Sequence, residues 1–291
     1  MVFPEFYMDL FDFKDKNLRQ VRTLSQQEFD GFRSAVLRLR RFRRWDRTLL
    51  AVKDNQLEYE DAIAGIPSVL ATSPNLSTAH ETLDDLANRR FLNYLASFRF
   101  FLDHTETRLA RSYRKDPSVR GAFAAATTTA FDRTFAYRFL YKLRNYAQHC
   151  GVPIGHVKID TVAAEPHAAV VQRMAVLSLD VPELLEQFDK WGPVEKDLRA
   201  GTQLLDIALL LEPVWSELTF IRNAVAQAER PLLQEDAQAI EAMFAPVVAT
   251  GGVPTVGLLR PRQGGRLDVD LVQPPADVLA WLGVSYTAIV I

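Results

Sequence analysis

This sequence predicts a mainly α fold: an up-and-down helical bundle with helical extensions on both sides and small β-hairpin elements after residue 155. Three observations predict it. Apolar residues recur at steps of three and four through long stretches of the first 150 positions. Strand-like alternation sets in only beyond Pro153. No internal repeat and no low-complexity linker interrupts the chain.

The opening, MVFPEFYMDLFDFKD, is apolar but broken by Glu5, Asp9 and Asp12 and has no basic start, so a signal peptide is not expected. Residues 26–50 place Phe32, Val36, Leu39, Phe42, Trp45 and Leu49 on one stripe of an amphipathic helix. Its other faces carry Arg33, Arg38, Arg40, Arg41, Arg43, Arg44 and Arg47. ATSPNLS at 71–77 reads as a loop.

Two long helices follow, over 81–115 and 127–150, separated by DPSVRGAF with its Pro117 and Gly121. Phe131, Phe135, Phe139 and Leu143 form the apolar stripe of the second. The short connection makes the pair antiparallel neighbours. The second helix ends at QHCGVP, where Gly151 suits a left-handed cap and Pro153 cannot continue the turn.

Beyond it, HVKIDTV and VVQRMAVLSLD predict a β-hairpin, VPELLEQFDKW a helix, and residues 196–229 and 234–248 further helices. PTVGLLRPRQGGRLDVDLVQPP reads as a hairpin turning on Gly264–Gly265, and VSYTAIVI as a final strand. The expected organisation is a helical region with the Arg-rich helix (1–80), a helical core (81–155) and a mixed α/β region (156–291).

Bulk properties remove whole classes of function. Hydrophobic residues at 48% and charged residues at 24% describe an ordinary globular chain, and a net charge of −2 carries no global polyanion signature. One cysteine, Cys150, excludes an intrachain disulfide framework and fits a reducing cytoplasm. No run reaches the ~18–20 apolar residues of a membrane span, so a soluble cytoplasmic protein is expected. There is no G-x-S-x-G elbow, Walker loop or dinucleotide fingerprint. With one cysteine and neither H-x-x-x-H nor H-E-x-x-H, the sequence offers no standard zinc spacing; no metal and no cofactor are expected. Cys150 beside His149 does not make a thiolate pair, because adjacent helical residues point about 100° apart.

What remains is the crowded helix end YKLRNYAQHC. Asn145 and His149 are four apart and share a face. Arg144 stands about 140° from His149 by helical geometry, but it is long, and a helix end unwinds. Together they offer a fixed cation for a phosphate, a titratable imidazole and an orienting amide. Such a set can cleave RNA without metal: a base takes the ribose 2′-OH proton, the hydroxyl attacks its own phosphate, and Arg stabilises the phosphorane charge. The bland alternative is a solvated helix end whose Arg and His meet the last carbonyls.

LRNYAQH resembles the R-x-x-x-x-H motif of the HEPN superfamily, in which a polar residue, often Asn, follows the Arg. The surroundings are similar too, with the motif late in a helix packed against a preceding long helix; the similar region is about residues 81–155. Arg99 and His104 repeat the spacing, but Phe100 follows that Arg and no capping signal follows. The resemblance implies a metal-independent ribonuclease of a toxin–antitoxin or antiphage kind, dimerising to bring two motifs into one cleft. It implies Arg144 as the phosphate-binding residue, Asn145 as the orienting residue and His149 as the acid/base, with RNA, a second copy and a protein antitoxin or defence partner as partners. In the expected antiparallel register Arg144 lies level with Arg99 and His149 with Tyr94, which makes Arg99, Tyr94 and Asn93 candidate supporting residues. On the Arg-rich helix, Arg38, Arg41 and Arg44 are candidate phosphate-backbone contacts; the alternative there is a solvated face paired with Glu28, Asp30 and Asp46. Against the enzyme stands a second reading, a non-catalytic helical module that binds RNA or protein and dimerises through the same helix end.

Overall fold

The computed structural model describes residues 7–14, 17–72, 76–114, 116–163, 171–262 and 267–287. Among them are eight helices and seven strands, mainly α as expected. The chain divides into two compact units, one of residues 1–45 and 227–291 and one of residues 46–226.

The first unit is built on a four-stranded antiparallel sheet in the order β2-β1-β6-β7. Its strands are β1 (Tyr7–Lys14), β2 (Asn17–Thr23), β6 (Pro254–Pro261) and β7 (Leu267–Val272). This corrects the expectation that strands occur only after residue 155 and that residues 1–80 are helical from the start. Met8 to Asp12 are all buried, because β1 lies inside the sheet between β2 and β6. Buried Asp12 accepts the Val253 N–H at 3.1 Å, which accounts for an acid in an interior strand. The aspartates that argued against an apolar leader also hid the strand. Gly257 on β6 allows the sheet face to close, since a Cβ there would lie 2.8 Å from the Phe11 ring.

The first part of α1 (Gln26–Thr72) and the last part of α7 (Ala208–Val248) complete this unit with α8 (Ala276–Trp281). Phe42 stacks on Trp281 at 5.1 Å and touches Trp45 at 5.4 Å, so the stripe read from the sequence is core. The predicted hairpin at 254–272 is present, with Val256 opposite Val272 and Pro261 opposite Leu267. Its turn, Gly264–Gly265, lies outside the described residues. The final strand expected at 284–291 is not found over 284–287, and 288–291 are outside the described residues.

The second unit holds α2 (Leu76–Ser112), α3 (Pro117–Arg133), α4 (Phe135–His149), α5 (Val181–Gln187) and α6 (Val194–Ala200). A three-stranded antiparallel sheet accompanies them, in the order β3-β4-β5, from β3 (His156–Ala163), β4 (Val171–Asp180) and β5 (Leu204–Asp206). The β3–β4 hairpin is the one read from the sequence. β5 is a correction, because it lies where continuous helix was expected.

The helix expected over 127–150 is two helices. Asp116 caps α3, accepting the Ser118 N–H at 2.9 Å, and Pro117 occupies its first turn, where a missing N–H costs nothing. The proline read as a break therefore starts a helix. The break comes instead at Thr134, whose backbone is extended, at φ −122° and ψ 110°. Arg133 and Thr134 both bind the buried carboxylate of Glu217, which holds the bend in place. Contacts still run antiparallel along the pair: Phe98 meets Tyr137, Arg99 meets Tyr141, and Asn88 accepts the Ile154 N–H.

Candidate functional site

α4 buries Ala136, Tyr137, Phe139, Leu140, Leu143 and Tyr146 on one face. Trp191, fully buried, receives that face by stacking on Phe139 at 5.8 Å and Tyr146 at 6.1 Å, and its indole N–H donates to the Leu184 carbonyl. The opposite side of the helix end is left for the motif.

His149 is the last helical residue and is exposed, and Cys150 closes the helix by donating its N–H to the Tyr146 carbonyl at 2.8 Å. Gly151 follows at φ +150°, a backbone only glycine adopts without strain, though further round than the left-handed cap expected. The end is also clamped from outside. The Tyr146 hydroxyl donates to Gln187 Oε1 at 2.5 Å, and the Gln187 carbonyl accepts the Cys150 thiol at 3.4 Å. Burial first, then the nearby Glu183 carboxylate, raises the Tyr146 phenol above its ordinary pKa, so it stays a donor. Gln187 was not foreseen; it lies 38 residues beyond His149, and only the packing of α5 brings it here.

Arg144 is half-buried and donates to the amide oxygen of Gln148, one turn on along the same face. The helix does not unwind before His149, so Arg144 and His149 keep the wide angular separation of a regular helix. Asn145 is half-buried on the face it shares with His149.

Of the proposed supporting residues, Arg99 lies over the Tyr141 ring at 4.6 Å and pairs with Asp103 at 2.9 Å. That puts it level with Tyr141 rather than Arg144, three residues short of the expected register. Tyr94 is fully buried and stacked on Phe91, so it faces the core and not an open groove. Asn93 is exposed. Arg99 also lines a cavity of about 350 Å³ with Arg120, Phe123, Tyr137 and Tyr141. Arg144 and His149 are not among its lining residues.

In the first unit, Arg38 makes a two-pronged pair with Asp236 at 2.7 and 2.5 Å. Arg43 pairs with Asp277, and Arg40 donates to the Gln273 carbonyl. These partners replace the local acids expected from sequence, and Asp46 is instead held by Arg222. Arg41 and Arg44 are exposed. Among the described residues no three metal-ligating side chains converge, and no helix is long and apolar enough to cross a membrane.

No protein-family model, curated protein or solved structure matches this chain.

Proposed function

We propose that this chain is a metal-independent endoribonuclease of the HEPN kind, a cytoplasmic homodimer in which two Arg144–Asn145–His149 helix ends face one RNA strand. The observation that carries the reading is the electrostatic state of the motif. Among the described residues Arg144 binds only a neutral amide, whereas Arg99 on α2, Arg133 on α3 and Arg138 on α4 pair with carboxylates. A half-exposed guanidinium with uncompensated charge, on the helix whose last residue is an exposed histidine, is suited to a phosphate.

In this reaction one imidazole takes the ribose 2′-OH proton, and the 2′-oxygen attacks the adjacent phosphorus. The bond from phosphorus to the 5′-oxygen breaks, and an imidazolium protonates the leaving oxygen. Arg144 stabilises the charge on the phosphorane. Asn145, one turn before His149 on its face, orients the ring. The setting proposed with it is a toxin or antiphage component restrained by a protein partner.

A non-catalytic dimerisation or RNA-binding module is the second reading. It is favoured by the attachment of Arg144 to Gln148 rather than to His149 within one protomer. Purified protein incubated with RNA in excess EDTA separates the two. Cleavage to 2′,3′-cyclic phosphate and 5′-OH ends is expected, lost in His149→Ala while RNA binding persists. Arg144→Ala should weaken both binding and cleavage, and Asn145→Ala should slow cleavage by about 10–100-fold. Cleavage that needs Mg²⁺ or survives His149→Ala overturns the enzyme reading, and no cleavage by a folded dimer moves the assignment to the module.

A further inference from the structure

A second cavity of the 46–226 unit, about 370 Å³, lies between α1, β4 and the start of α7. Its wall is apolar along Ile63, Pro67 and Leu211, and two carboxylates, Glu60 and Asp206, open onto it with no Lys or Arg in the lining. Tyr59 also lines it; this residue is 97% buried, and its hydroxyl makes no hydrogen bond to a described residue. Burial first, then Asp206 and Glu60, holds that phenol well above its ordinary pKa, so both carboxylates act on the same hydroxyl.

Polar groups linked to Glu60 are also incomplete. Gln56 donates to Glu60 at 2.7 Å but leaves its own buried Oε1 without a partner, and the buried Tyr94 hydroxyl, which Glu60 also influences, has none. The cluster is rich in acceptors and in negative charge. Glu60, Asp206 and the buried Tyr59 side chain line the cavity with no cationic residue beside them among the described residues, an arrangement that suits a donor from outside. An anion would be repelled. A metal ion would find only two carboxylates, short of a coordination shell.

We propose that this cavity binds a small organic cation, a protonated alkylamine whose ammonium meets Glu60, Asp206 and Tyr59 and whose aliphatic body lies against Ile63, Pro67 and Leu211. Its volume falls in the range of small-molecule sites. An ammonium supplies three donors and neutralises charge, while the chain displaces water from the apolar wall.

Titration calorimetry of the full chain with hexylamine, hexan-1-ol, hexanoate and magnesium chloride tests this. Hexylamine is expected to bind, with the alcohol and the carboxylate at least about tenfold weaker. Asp206→Asn and Glu60→Gln should each weaken hexylamine by about tenfold or more, and Tyr59→Phe by about two- to tenfold. Asp206 also accepts the Ala208 N–H at the start of α7, a role asparagine retains. Equal binding of hexan-1-ol, undiminished binding by the doubly neutralised variant, displacement of the amine by equimolar magnesium, or no amine binding by wild type would each overturn the proposal. The comparison of ligands on wild-type protein needs no variant to fold.

Discussion

At the scale of single residues, the start of α1 shows how much a short pattern can specify. Ser25 and Glu28 cap each other: Glu28 accepts the Ser25 N–H and hydroxyl at 2.8 Å, and its own N–H donates back to the serine oxygen at 3.2 Å. Those bonds, led by the Ser25 N–H, and the nearby Arg22 lower the Glu28 carboxyl from 4.5 to about 2. A depressed carboxyl adds stability that is complete above its unfolded value and is lost as pH falls through its folded one. Glu28→Ala should therefore lower the melting temperature at pH 6 and lower it less as pH drops from 4.5 towards 2. A melting difference that stays constant across that window would show that the carboxylate charge is not what the cap uses. The S-Q-Q-E spacing makes this cap legible in the sequence. The partners of Arg38 and Arg43 were not, because Asp236 and Asp277 lie about two hundred positions away.

At the scale of elements, the helices were legible because helical periodicity is local, and the misses are long-range or unpunctuated. β1 is buried on both faces with two acids inside it and pairs with β6 from the far end of the chain, so no alternation marks it. Thr134 interrupts the helix with neither glycine nor proline nearby, because Glu217 on a distant helix fixes it there. The same long-range packing positions the motif. Trp191 is the piece that joins α4 to α5, so it should govern the helix end through its stacking on Tyr146. Trp191→Ala should cost about 3–5 kcal/mol in denaturant unfolding and loosen the bonds among Tyr146, Gln187 and Cys150. Trp191→Phe should cost less, keeping the stacking but leaving the Leu184 carbonyl without its donor. Faster amide exchange at residues 146–150 in Trp191→Phe, before any global loss, is the accompanying signature. Equal stability of all three proteins would mean that α4 is held elsewhere.

At the scale of the whole molecule, the division into two units falls within α1 and within α7, at Trp45/Asp46 and Ala226/Gln227. Neither crossing has a linker composition, so the sequence offers no sign of it. The candidate site belongs to one unit, yet the chemistry proposed for it is incomplete in one chain. A protomer supplies one His149 where the proposed reaction has two proton transfers, and its Arg144 turns to Gln148. The proposed two-fold interface through the Arg144 and His149 faces would supply the second imidazole and repeat every contact by symmetry. The expected mass in solution at tens of micromolar is accordingly twice the 32.9 kDa of the chain. Mixing is the sharper measurement. If both imidazoles serve one strand, excess His149→Ala protein exchanged into wild-type dimers should depress RNA cleavage well below simple dilution, because mixed dimers lack one proton carrier. A strictly linear fall with the wild-type fraction would mean that each protomer acts alone. A monomeric mass under the same conditions would remove the shared cleft from the mechanism.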